Sequence, residues 1–134
     1  MPILVIIALS LHVLPAVFWV GSTFMLARGG GLGAEPLFRP QMGAATLTVL
    51  TGGFLWRQLH SGGFGGPEKV LALGALCAVV AAGVQGALVG STAGALRHGS
   101  IQPGPAAGRM ALAHRIAAPL LAVTLVCMVI ARYV

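Results

Sequence analysis

The sequence predicts an all-α protein: an integral membrane bundle of four transmembrane helices, forming a single domain over residues 1–134. Three observations lead there. Of the 134 residues 57% are hydrophobic and 7% charged, against about 25% charged in a soluble domain, so the chain lacks the polar surface needed to face water. The apolar residues fall in long blocks that approach or exceed the ~20 residues a helix needs to cross hydrocarbon. Between the blocks stand short stretches of glycine, proline and arginine, which break helices.

The first span is expected over 3–27. It has no basic leader, and its apolar run continues to Ala27, so it reads as a retained span rather than a cleaved signal. Arg28, three glycines, Glu35-Pro36 and Arg39-Pro40 predict a helix-breaking connection. The second span, over 41–59, is the shortest and most polar. Its Thr46, Thr48 and Thr51 can bond to their own helix or a neighbour. The SGGFGGP stretch at 61–67 is a loop, and the third span runs over 69–96 with Gln85 inside it. RHGSIQPGPAAG at 97–108 is the next loop, and the fourth span covers 109–132.

The formal net charge is +6, yet nucleic acid is excluded as a partner. The eight basic residues stand singly at the edges of apolar blocks and form no patch. They anchor helix ends and report topology. Arg28, Arg39, Arg97, Arg109 and Arg115 belong to one side, and Arg57, Lys69 and Arg132 to the other. The richer side is expected in the cytoplasm, with both termini on the periplasmic face of a bacterial inner membrane. Cys77 and Cys127 lie in apolar runs and read as packing thiols.

Gly74, Ala78, Ala82, Gly86, Gly90 and Gly94 recur every four residues along the third span. Such a stripe admits a second helix backbone at close range. It predicts helix association within the chain, or with a second copy or a partner subunit. The lipid bilayer is the other partner.

Chemistry is expected first at His12. An ionisable side chain inside a span is costly and marks a functional site by default. Pro15 removes the backbone N–H that would bond the carbonyl of Leu11, beside His12. An imidazole here can serve as an axial haem ligand or a metal ligand, or bond a neighbouring helix. His114, followed by Arg115 and Pro119, is the second candidate, near the membrane surface. His60 and His98 adjoin loops and read as solvated. Gln85 reads as a bond across helices. Glu35 and Glu68 are the only acids, so paired-carboxylate chemistry has no support.

The stretch LHVLPAVFWVGSTFMLAR resembles the first helix of HemJ and CopD-like membrane proteins. His12 is followed by Trp19 seven residues on and Arg28 sixteen on, as in that family. LFRPQMGAATLTVLTGGFLW is similar to the second helix. Lys69, in PEKVLALGAL, sits where the family has a functional lysine. HRIAAPLLAVTLVCMVIARYV resembles the last helix. The third helix departs from the pattern, with Gln85 in a region where the family has a histidine.

The resemblance implies haem b on His12, Trp19 against the macrocycle, and Arg28 and Lys69 as partners for propionate or substrate charge. It leaves enzyme activity open, because CopD-like proteins share the first helix without a known oxidase activity. The expected function is a small haem-b-binding membrane protein with an electron-transfer or redox role. The alternatives are a cofactor-free accessory subunit of a larger membrane complex, and CopD-like copper handling by His12 with a residue such as Met128.

Overall fold

A computed structural model describes residues 2–134. All regular structure among them is helical: α1 (Pro2–Arg28), α2 (Ala34–Leu59), α3 (Gly66–Arg97) and α4 (Pro103–Ile130). The shortest, α2, has 26 residues and is therefore about 39 Å long at 1.5 Å per residue. Helices α1, α3 and α4 are long and apolar enough to cross a membrane. Helix α2 has the length but not the hydropathy, since it carries Glu35, Arg39, Gln41, Arg57 and Gln58.

Two helices begin well before their expected spans. Helix α2 starts at Ala34 and takes in Pro36 and Pro40; α4 starts at Pro103 and takes in Pro105. Pro36, Pro103 and Pro105 lie in the first turn of a helix, whose N–H groups have no intrahelical partner, so a proline there loses nothing; Pro40 lies inside α2 and leaves the carbonyl of Pro36 without its helical donor. The expected break at 28–40 therefore narrows to residues 29–33, where Gly30, Gly31 and Gly33 take positive φ.

The helices run alternately up and down. Between α1 and α2, Ser22 meets Gln41 and His12 meets Thr51, so one number falls as the other rises. The same inversion pairs Gln85 with His114 and Gly74 with Thr124 across α3 and α4. Helices α3 and α4 pack most extensively, and α1 and α2 next.

The core is the reverse of a water-soluble one. Its buried residues are mostly alanine with Trp19, Leu26 and Leu121, and include Gln41, Gln85, Thr23, Thr92 and His114. Large side chains such as Ile3, Leu14, Val17, Leu50, Leu76 and Val126 point outward. Lipid rewards that arrangement, because apolar side chains cost nothing outside and polar groups need partners inside.

The glycine-alanine stripe is used within the chain. A Cβ on Gly74 would lie 2.9 Å from Cβ of Cys127 on α4, while one on Gly90 would lie 3.1 Å from the Phe38 ring on α2. A four-residue step turns a helix about 40° past a full circle, so the stripe winds from α4 round to α2. Of the expected associations, the one within the chain is seen: Gly74 and Gly90 receive neighbours from α4 and α2.

Candidate functional site

Two polar centres occupy the bundle, one around His114 and one around His12. The first joins all four helices. The indole N–H of Trp19 donates to Oε1 of Gln85 at 2.7 Å. An indole N–H can only donate, so the Gln85 amide is fixed with its NH₂ on the other side. That NH₂ donates to Oγ1 of Thr23 at 2.8 Å and to Nδ1 of His114 at 3.1 Å. The amide of Gln41 uses both its hydrogens on Ser22 and Thr23, at 2.9 and 3.1 Å. The hydroxyls of Ser22 and Thr23 in turn donate to the carbonyl of Trp19.

This layer lies between two apolar ones. One side has Trp19, Ala45, Ala78, Ala81, Ala117 and Leu121. The other has Leu26, Ala34, Val89, Ala93, Met110 and Ala113. Among the described residues three buried side-chain atoms remain without partners: Oε1 of Gln41, Oγ1 of Thr92 and Nε2 of His114. Each such group carries a desolvation penalty of about 1–3 kcal/mol.

The second centre is half-buried between α1 and α2. Nδ1 of His12 lies 2.8 Å from the carbonyl oxygen of Thr48 and 3.3 Å from Oγ1 of Thr51. A carbonyl can only accept, so Nδ1 carries the proton, and Nε2 of the neutral ring keeps its lone pair. Nε2 has no hydrogen-bond partner among the described residues. Gly52 makes the approach possible: a Cβ there would lie 3.0 Å from Cε1 of His12, 3.4 Å from Nδ1 and 4.0 Å from Nε2. Nε2 is thus the ring nitrogen farther from α2. Pro15 contributes too, since the hydroxyl of Thr51 stands 3.5 Å from the carbonyl of Leu11 that Pro15 cannot bond.

His12 lines a cavity of about 310 Å³ with Val13, Ala16, Val17, Val20, Gly21, Leu125 and Met128. That is near the lower end of the ~300–1,000 Å³ typical of small-molecule and cofactor sites. Its lining is apolar apart from the imidazole, and it opens on the outer face of α1 and α4.

The two histidines are therefore set in opposite tautomers. His12 presents a lone pair, the form that binds a metal. His114 presents an N–H, because Gln85 already donates to its Nδ1. His114 is not at the surface: its ring is fully buried, and its unpartnered nitrogen, Nε2, is a donor in this network.

The remaining sequence candidates separate. Trp19 is in the core on Gln85 and does not line the His12 cavity. His12 stands about 15 Å along α1 from Pro2 and about 24 Å from Arg28 at the standard rise. Arg28 is thus at the far end of the bundle, and Lys69, in the first turn of α3, is at the nearer end. His60 is not simply solvated: its Nδ1 pairs with Oε1 of Glu68 at 2.7 Å, while Oε2 accepts the N–H of Gly65.

Gln41 and Thr92 were not singled out by the sequence. Their signal was available, as polar residues within helices, but α2 is polar at many positions and Thr92 stands beside Ser91 near the polar end of α3.

Replacing Gly52 by leucine is expected to drive His12 off the Thr48 carbonyl. The ring nitrogen shifts in a ¹⁵N-histidine spectrum would report it, with Nδ1 losing the signature of a hydrogen-bonded N–H. An unchanged signal would show that Gly52 does not govern the ring.

No family model, no curated protein and no solved structure matches this chain.

Proposed function

We propose that this chain is a small haem-b-binding protein of the bacterial inner membrane with an electron-transfer or redox role, of the HemJ and CopD-like kind, and that His12 is the axial ligand. The observation that supports the reading is the setting of His12. Nδ1–H is committed to the Thr48 carbonyl, and Nε2 faces away from α2 with its lone pair free. A backbone carbonyl on the far nitrogen is the usual outer support of a ligating histidine, fixing tautomer and ring orientation and raising basicity. The cavity beside it is apolar, as a macrocycle requires.

In this reading α2 is the fourth transmembrane helix, its polar side chains turned to α1 and its ends at the two interfaces. The first and third loops face the cytoplasm. When bound, haem would supply one-electron chemistry, with its potential set by axial ligand and burial. The chain's own part is to hold Nε2 in place through Thr48, to leave room through Gly52, and to exclude water with Val13, Val17, Val20 and Leu125. Met128 lines the same cavity and is the candidate second ligand, a choice that raises potential. Lys69 is the candidate propionate partner, as it belongs to the His12 end of the bundle.

The same pairing of His12 and Met128 favours copper as the second reading, since thioether and imidazole together suit that metal. A third ligand would have to come from outside, because no cluster of three histidine, cysteine or acidic side chains exists among the described residues.

A reduced-minus-oxidised visible spectrum of the purified protein tests the proposal. Haem bands are expected in the wild type and at least tenfold weaker per protein in His12→Ala. A colourless, well-folded protein with bound copper would favour the second reading. A colourless one without metal that co-purifies with a large assembly would favour a cofactor-free accessory subunit.

A further inference from the structure

Two of the three residues with unpartnered buried atoms, Gln41 and Thr92, neighbour a cavity at one end of the bundle. Gln41 is within one helical turn of Phe38 and Arg39, and Thr92 is next in sequence to Ala93. Phe38, Arg39 and Ala93, with Glu35, Pro36 and Arg97, line a cavity of about 380 Å³ between the start of α2 and the end of α3. Unlike the His12 cavity, this one is lined by charged groups and open to water. Oε1 of Gln41, Oγ1 of Thr92 and Nε2–H of His114 are an acceptor, a hydroxyl and a donor, all buried and without a partner among the described residues.

We propose that these atoms form an internal water site, fed from the Arg39–Arg97 cavity through Thr92 and ending at His114. The chemistry of the three groups specifies the ligand. It must both donate and accept, it must be small, and it must be neutral, because no charged side chain is buried beside it. Water meets all three conditions, and a buried water takes two to four polar partners.

Thr92 is about 10 Å along α3 from Gln85 at the standard rise. It is the polar position within the apolar layer of Leu26, Val89, Ala93 and Met110 that otherwise separates the cavity from the network. On the opposite side, the layer of Ala45, Ala78, Ala81, Ala117 and Leu121 carries no unpartnered polar atom. Water thus reaches His114 from one end of the bundle and stops there. The structure assigns this chain a one-sided aqueous inlet ending near mid-bundle, independent of any cofactor at His12.

Water-edited solid-state NMR on ¹⁵N-labelled protein in lipid tests this. The readout is how fast water magnetisation reaches assigned side-chain nitrogens. Trp19 Nε1–H is the dry reference, because its donor is already taken by Gln85. His98, exposed at the end of α3, is the wet one. His114 is expected to show a protonated Nε2 that receives water magnetisation about tenfold faster than Trp19, approaching His98.

Thr92→Val, nearly equal in shape, is expected to slow that transfer about threefold without moving the Trp19 or His12 signals. A His114 signal as slow as that of Trp19 in the wild type would overturn the water site. A fast signal unaffected by Thr92→Val would overturn the route. Should that variant not fold, Gln41→Leu in its place and the wild-type comparison decide the question.

Discussion

Replacing Gln85 by leucine is expected to cost about 2–4 kcal/mol of stability, among the largest effects of any single side chain here. The leucine fits the volume but makes none of the three hydrogen bonds. The indole N–H of Trp19 and Nδ1 of His114 would both be left buried without partners, and the Thr23 hydroxyl would lose one of its donors. Trp19 belongs to the dry side of the polar layer, where no water relieves its N–H. The estimate stays moderate because hydrogen bonds between membrane helices have measured contributions nearer ~1 kcal/mol each.

Reversible unfolding in mixed micelles would measure the loss. Gly83→Ala serves as the comparison, because nothing lies within 4 Å of a Cβ at Gly83, and removing a helical glycine there should leave stability unchanged or raise it by about 0.5–1 kcal/mol. Equal midpoints for Gln85→Leu and the wild type would mean that the polar layer does not hold the bundle together.

Gly31→Ala is expected to be worse still, at about 3 kcal/mol or more, because two penalties fall on one residue. The φ of Gly31 is 87°, a left-handed conformation that costs a residue with Cβ about 1–2 kcal/mol. The added methyl would also overlap the carbonyl group of Ala107, in the first turns of α4. That neighbour is backbone and cannot swing aside, so the α1–α2 connection must lift off α4.

Gly30→Ala isolates the first penalty, since Gly30 has φ 68° and open space around its missing Cβ; a loss near 1 kcal/mol is expected there. If both variants lost the same amount, the contact of Gly31 with α4 would carry no weight.

Several polar residues of the two centres were legible in the sequence for different reasons. His12 stands out because an ionisable group inside an uncharged, mostly apolar stretch (3–27) is costly, and its reading as a bond to a neighbouring helix is met by the Thr48 carbonyl. Gln85 was read as a bond across helices, and it makes three. His114 was placed near the surface by its distance from the start of an expected span at 109. Helix α4 begins at Pro103 instead, so the residue sits one to two turns deeper than that count implied.

The amino-acid sequence by itself determined that this chain is helical, that its apolar segments suit lipid, and roughly where each helix begins and ends. Those properties depend on local periodicity, on hydropathy summed along a segment, and on the punctuation of glycine and proline. Only the tertiary structure decided which nitrogen of His12 and of His114 is protonated, that Trp19 belongs to the core rather than to the His12 cavity, and that Gly74 and Gly90 of the glycine stripe are taken up inside the chain. A tautomer is set by the partner on the other nitrogen, and for both residues that partner comes from another helix, 29 or 36 positions away. No pattern along one helix can specify it.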